Sequence, residues 1–131
     1  MWLYNGKEFK EEYIGDAVGF VYLITNLDSG RFYVGKKSFS RSKTYQKNKK
    51  KKRMRVASDW MTYTGSNEEL NRDIANGAKI KKEILYLCMS KGWMTYMETK
   101  EIFDRECLLR EDAYNGWVMC KIRRNHLKRK S

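Results

Sequence analysis

Apolar positions run almost unbroken from Val18 to Thr25, reading Val-Gly-Phe-Val-Tyr-Leu-Ile-Thr. A short run this rich in β-branched and aromatic residues predicts a buried strand. Asn26-Leu27-Asp28-Ser29-Gly30 follows, with the residue types a tight reversal needs. Arg31 to Lys37 reads Arg-Phe-Tyr-Val-Gly-Lys-Lys, a second strand, so the two make an antiparallel hairpin. From Ser40 to Lys52 the pattern is polar throughout, with Tyr45 its one aromatic. Like charges repel along this stretch, which predicts a mobile loop in the free protein.

Periodicity returns after Ser58. The aromatics of Ser58 to Gly65 predict an anchored turn or short helix. Ser66-Asn67-Glu68-Glu69 has the form of a capping box, in which the Ser66 hydroxyl and the Glu69 side chain each satisfy the other's backbone N–H. A helix is expected from there to about Ala75, ended by Asn76-Gly77. Lys79 to Cys88 is rich in Ile and Leu and predicts a third strand, broken at Ser90-Lys91-Gly92. Thr95 to about Cys107 reads as an amphipathic helix with Tyr96, Phe103 and Cys107 on one face. Tyr114 to Ile122 is a candidate apolar element with Trp117 in the core, as are Trp60, Tyr63 and Trp93. Met1 to Asp16 is open between strand and helix. The expected class is α/β in the broad sense, α+β more narrowly: a small three-stranded, mainly antiparallel sheet with packed helices.

The chain has 131 residues, a length that fits one domain at 1–131 and buries a core without staples. Its three cysteines, Cys88, Cys107 and Cys120, are too widely spaced for a disulfide framework or a zinc pattern, and reduced, mostly buried thiols are expected. No apolar run approaches the roughly 20 residues of a membrane span, and no signal-peptide layout opens the chain. A cytoplasmic protein without membrane partners is therefore expected. The net charge of +12 changes the picture most, because it favours a polyanionic partner. The charge is also concentrated: eleven Lys or Arg and no acid lie between Lys36 and Arg55. This defines a basic insertion at about 39–57. A second cluster makes a basic tail at about 121–131. A solvated loop or localisation signal would use such a run, and so would an arm that grips phosphates and releases counterions. The DNA-contact candidates are Arg41, Lys43, Lys49, Lys50, Lys51, Lys52 and Arg53 in the insertion, with Arg123 and Arg124 in the tail. Contacts of this kind position a duplex without reading it, so weak sequence specificity is expected.

The hairpin carries the most specific chemistry. Phe20-Val21-Tyr22 lies on its first strand and Tyr33-Val34-Gly35 on its second, the tyrosines eleven residues apart across the turn. This resembles the signature of the GIY-YIG nuclease family, with Val for Ile in both halves and Phe for the first Gly. The resemblance runs from about Gly19 to Asn115 and is nearest to small phage-encoded members. Those carry a Lys-rich insertion and then a Trp-x-x-Tyr-x-Gly-Ser segment, here Trp60 to Ser66.

The resemblance implies a metal-dependent DNA endonuclease with Tyr22 as general base and Tyr33 beside it. It implies Glu98, in Met97-Glu98-Thr99-Lys100-Glu101-Ile102, as holder of one Mg²⁺ or Mn²⁺, with Glu101 as fallback. It also implies a role for Asn115 after Tyr114, as a DNA contact or as a brace. A phenol is a poor base at neutral pH unless a nearby cation stabilises its anion. Lys36 and Lys37 are the candidates. Strand alternation puts Lys37 on the face of Tyr33 and Gly35, which favours it. The family's arginine should lie on the helix after the second strand, but Lys43 occupies the usual spacing. Arg41, Arg53 and Arg55 are the alternatives, Arg55 being preferred for its nearness to Trp60. The family's partner histidine is missing, the sole histidine being His126, and Tyr63 is a candidate stand-in. The competing reading is a non-catalytic nucleic-acid-binding protein, or an inactive relative of the nucleases. One site cuts one strand, so a double-strand break would take a homodimer or two successive nicks.

Overall fold

The computed structural model describes residues 1–127. Its centre is β3 (Gly19–Asn26), which pairs antiparallel with β4 (Phe32–Ser38) on one side and β7 (Ile80–Cys88) on the other. The β3–β4 turn is tied by Asn26, whose Oδ1 accepts from the backbone N–H of Asp28 at 2.9 Å and of Ser29 at 3.2 Å. The class is α+β as expected, but the sheet is wider than three strands. β1 (Trp2–Tyr4) runs parallel to β7, and β2 (Lys7–Glu8) returns along its far side, giving the order β2-β1-β7-β3-β4. Asn5-Gly6 makes the β1–β2 turn with positive φ at both residues, the backbone a two-residue hairpin demands.

Both faces of β3 are covered, which explains its near-continuous apolar sequence. Against one face, Phe20, Tyr22 and Ile24 pack with Trp2, Phe9, Phe39, Trp60 and Leu70. Against the other, Val21 and Val34 pack with Met94 and Ile102 of α2 (Lys91–Asp104). The loop carrying Trp60 is clamped to the sheet from two sides. The Trp2 indole Nε1 donates to the Trp60 carbonyl at 2.6 Å. The Lys82 ammonium donates to the carbonyls of Met61 and Tyr63 at 3.2 and 2.8 Å.

Several local expectations change. α1 (Glu68–Ala75) is capped by Asn67, whose side chain accepts from Leu70 N at 2.9 Å, so the cap lies one residue past Ser66. β7 ends before Ser90 as expected, but α2 starts at Lys91 and not at Thr95, because Ser90 caps it, its Oγ accepting from Trp93 N. The buried side of α2 is Met94 and Ile102, while Tyr96 and Phe103 face solvent. Trp117 is 72% exposed, and Tyr114 to Ile122 forms no regular element. Cys88 and Cys107 are buried, but Cys120 is exposed.

The largest correction concerns the basic insertion. Ser40–Lys47 (β5) and Lys50–Ala57 (β6) form an eight-pair antiparallel ribbon separate from the main sheet. Asn48 and Lys49 turn it, both with positive φ. The expected loop is a hairpin because serines, Thr44 and Gln46 alternate with cations and Tyr45 along β5. Alternation lets like charges spread over two faces, and the ladder satisfies the backbone. The expected tail lies partly at 128–131, outside the described residues. Among the described residues, no helix is long and apolar enough to cross a membrane.

Candidate active site at the edge of strand β4

β4 is an outer strand, and the site is built around its outer edge. Alternation sends Tyr33, Gly35 and Lys37 to the face shared with Tyr22, and Val34 and Lys36 to the face covered by α2. An open cleft of about 740 Å³ beside the edge is reached from both faces. Tyr22 and Tyr33 enter it from the first face, Lys36 and Glu98 from the second. α1 and the two residues before it close another side with Ser66, Asn67 and Arg72, and the chain after Tyr114 closes the last.

Two glycines make the arrangement possible. Tyr22 is 1% exposed, and its ring crosses the sheet directly over its cross-strand partner Gly35. A Cβ at Gly35 would meet the Tyr22 hydroxyl at 2.2 Å. Gly65 has φ of +85°, and a Cβ there would lie 3.3 Å from both the Tyr22 hydroxyl and the Tyr33 ring. The Trp60-to-Ser66 segment thus packs its one flexible residue against the tyrosine pair. Ser66 Oγ then lies 3.3 Å from the Tyr33 hydroxyl.

The electrostatics are those of a partly dry cleft. Burial pushes the Tyr22 phenol well above its ordinary value, and Tyr33, Tyr63 and Glu98 push it the same way. Burial also raises Tyr33, against an opposing hydrogen bond from Ser66. The Glu98 carboxyl is raised by burial and drawn back by the charge of Lys36. Lys36 is held by a 2.6 Å hydrogen bond from its ammonium to Thr95 Oγ1, one turn before Glu98 on α2.

Among the described residues, Glu98 has no hydrogen-bond or ion-pair partner, whereas Glu101 is fully occupied. Glu101 accepts from the Tyr86 hydroxyl at 2.7 Å and from Arg105 Nε at 2.9 Å. No group of three or more His, Cys, Asp or Glu side chains that could hold a metal ion occurs among the described residues. A lone half-buried carboxylate facing an open cleft still fits Mg²⁺, which keeps several waters and takes few protein ligands.

The remaining sequence candidates distribute as follows. Lys37, favoured by alternation, is engaged elsewhere: its ammonium pairs with Asp59 at 2.6 Å and lies 4.0 Å from the centre of the Tyr63 ring. It is Lys36 that lines the cleft, because the cleft wraps around the edge instead of lying on one face. Tyr63 packs edge-on to Tyr22 with ring centres 6.1 Å apart, behind the cleft wall. Arg55 lies on the ribbon, donating to Ser42 Oγ at 3.2 Å and Ser40 Oγ at 2.7 Å. Arg41, Lys43, Lys49, Lys50, Lys51, Lys52 and Arg53 are exposed on the same ribbon. Arg123 and Arg124 line a separate shallow groove with Tyr96 and Phe103.

Asn115 lines the cleft, but its amide is spent on the protein. Its Oδ1 accepts from Val34 N at 3.0 Å and its Nδ2 donates to Val34 O at 2.9 Å, closing the exposed ladder of β4 as a neighbouring strand would. Of its two expected roles, the geometry is that of the brace. Arg72 is the cleft residue that sequence reasoning misses. Spacing from Tyr33 points into the ribbon, and the ribbon displaces the helix that carries Arg72 further along the chain.

A family model described as "Putative endonuclease segE, GIY-YIG domain" matches residues 2–118. No curated protein and no solved structure matches the chain.

Proposed function

The chain belongs to the GIY-YIG endonuclease family, and from that premise we propose that it hydrolyses phosphodiester bonds of DNA in the cleft at the β4 edge. The observation that carries this reading is the convergence of Tyr22, Tyr33, Lys36, Arg72 and Glu98 on one cleft from four different elements. Phosphodiester hydrolysis needs a directed water, positive charge near the phosphoryl oxygens, and help for the leaving oxygen. In this reading Glu98 holds one Mg²⁺ or Mn²⁺, which supplies Lewis acidity to the scissile phosphate when bound.

The protein's own groups do the rest. Tyr22 is a neutral phenol in the free protein, so it orients the attacking water and accepts its proton only as positive charge collects in the cleft. Tyr33, fixed by Ser66, completes the water's hydrogen bonding. Lys36 lowers the cost of negative charge on both Glu98 and the phosphate. Arg72, on the helix after β4, neutralises the oxygens of the pentacoordinate phosphorus. Arg72 therefore replaces Arg55 in this role, and Lys36 replaces Lys37. One cleft takes one scissile bond, so cutting a duplex through takes a second copy or a second event.

The test uses supercoiled plasmid with Mg²⁺, with Mn²⁺ and with EDTA, beside Glu98→Ala and Tyr22→Phe. The reading expects metal-dependent nicking that both variants lose while still retarding DNA on a gel. Binding without cleavage by any form, across metals, salts and branched substrates, would replace it with a binding protein or inactive relative.

A further inference from the structure

The ribbon is more than a charged arm, because its two faces differ in chemistry. Residues paired across an antiparallel ladder share a face. One face therefore carries Ser42 opposite Arg55, Thr44 opposite Arg53 and Gln46 opposite Lys51. The hydrogen bonds from Arg55 to Ser42 and Ser40 lie on this face and hold the guanidinium over it. The opposite face pairs Lys43 with Met54, Tyr45 with Lys52 and Lys47 with Lys50. All the side chains of these six pairs are exposed.

From this division we infer that the ribbon enters the major groove of duplex DNA and reads base edges with its Ser42–Thr44–Gln46 and Arg53–Arg55 face. Only the identity of the polyanion as DNA rests on the endonuclease reading.

Three observations carry the inference. The first is size. Eight residues per strand span about 26 Å, and a two-stranded ribbon fits a major groove about 12 Å wide. The second is charge: from Ser40 to Ala57 there are nine Lys or Arg and no acid. The third separates reading from gripping. Lysine only donates hydrogen bonds, so a lysine face cannot accept from adenine N6 or cytosine N4. Ser, Thr and Gln oxygens can accept, and arginine makes a bidentate pair with guanine O6 and N7. That combination lies on one face and the excess lysine on the other and at the tip, where side chains can bend back to the phosphates. A two-stranded ribbon without a covering layer is marginal on its own, so a groove would also order it. Its two ends join β4 and the Trp60-to-Ser66 segment, so a ribbon seated in a groove holds the duplex by the walls of the cleft. Specificity then comes from within the chain, in place of the backbone-only contacts expected from composition.

The test is binding selection from random duplex DNA with the full-length Glu98→Ala protein, which reads preference without cleavage. The expected result is an enriched motif containing guanine, with binding blocked when that guanine is methylated at N7, a major-groove atom. The triple variant Ser42→Ala/Thr44→Ala/Gln46→Ala should lose about tenfold discrimination at particular motif positions while keeping affinity for bulk DNA, and Arg53→Ala should lose about tenfold discrimination at a guanine position on top of the uniform weakening that removing one cation brings. Lys43→Ala/Lys52→Ala should keep the motif, bind all sequences more weakly, and lower the salt slope by about one for each phosphate no longer neutralised. Thermal unfolding of each variant separates these effects from misfolding. A flat selection, a motif untouched by the face variants, or equal affinity for duplex RNA, whose major groove is too deep and narrow for a ribbon, would overturn the inference. A clear motif in a protein that never cuts would leave this inference standing and remove the endonuclease reading instead.

Discussion

The Tyr22 ring lies across Gly35, its partner on the neighbouring strand, so closely that a Cβ at that glycine would meet the hydroxyl at 2.2 Å. The absence of a side chain at Gly35 is what lets a phenol rooted in the central strand reach the sheet edge. Gly35→Ala must displace either the ring or β4. Because Tyr22 is buried among Trp2, Phe20, Tyr33 and Tyr63, the ring has little room to give. A shift near 1 Å is expected to cost on the order of 100-fold in single-turnover cleavage, with DNA affinity unchanged. Wild-type cleavage rates in a folded Gly35→Ala protein would remove Tyr22 from the reaction.

Arg72 and Arg55 separate the cleft from the ribbon. Arg72 lines the cleft, and Arg55 is tied to Ser40 and Ser42. Arg72→Ala is expected to lower the cleavage rate at saturating DNA by about 100- to 1,000-fold, the usual effect of removing one preorganised charge stabiliser. Arg55→Ala should leave that rate within a few-fold on bulk DNA. Measuring both under single-turnover conditions checks the assignment, and the reverse ranking would restore Arg55 to the site.

How much of the fold is legible in the sequence follows from how local each signal is. The β3–β4 hairpin is readable from the near-continuous apolar run of β3 and the turn residues that follow it, and β7 from its Ile and Leu content before the break at Ser90. The tyrosine pair and Glu98 are readable as members of motifs on those elements. The β1–β2 hairpin has a local signal too, in Asn5-Gly6, but two very short strands lack the alternation that would support it. The ribbon reads as a loop if polarity alone is weighed, although its small polar residues alternate with cations and Asn48 marks its turn. The choice of Lys36 over Lys37 is not readable from alternation, since a cleft at an edge strand receives side chains from both faces. Arg72 and the Asn115–Val34 pairing depend on contacts over long sequence separations, where residue counting fails across an insertion.

Lys82 gives a pH test of the packing behind the site. It is 7% exposed, donates to the carbonyls of Met61 and Tyr63, and lies 4.3 Å from the centre of the Trp2 ring. Burial pulls its ammonium from 10.5 down to about 8. Between those values the unfolded chain binds this proton and the folded protein does not, so this group makes stability rise with pH. Below about 8 both states are protonated and its contribution is flat. From pH 7.5 to 9.5 it should add about 1 to 2 kcal/mol. Denaturant midpoints of wild type and Lys82→Met at both pH values isolate the effect, because other titrating groups cancel in the difference. A difference that does not change with pH would mean that Lys82 keeps its ordinary affinity for the proton.

Asn115 tests whether the site depends on closing the β4 edge. Its amide satisfies both backbone groups of Val34, and both residues are buried. Asn115→Ala leaves a buried N–H and C=O without partners, which should cost about 2 kcal/mol and lower the melting temperature by about 8 °C. Asn115→Asp separates the two bonds. Its carboxylate can accept from Val34 N but faces the Val34 carbonyl with no proton to donate. It should therefore be less stable than wild type at pH 7 and recover part of the loss near pH 4, where a protonated acid can donate. Thermal unfolding at the two pH values measures this, with wild type as the control for acid effects elsewhere. If Asn115 only braces the strand, both variants should still bind DNA at temperatures where they are folded. A loss of DNA affinity in a fully folded Asn115→Ala protein would instead give this side chain a direct role in gripping the substrate.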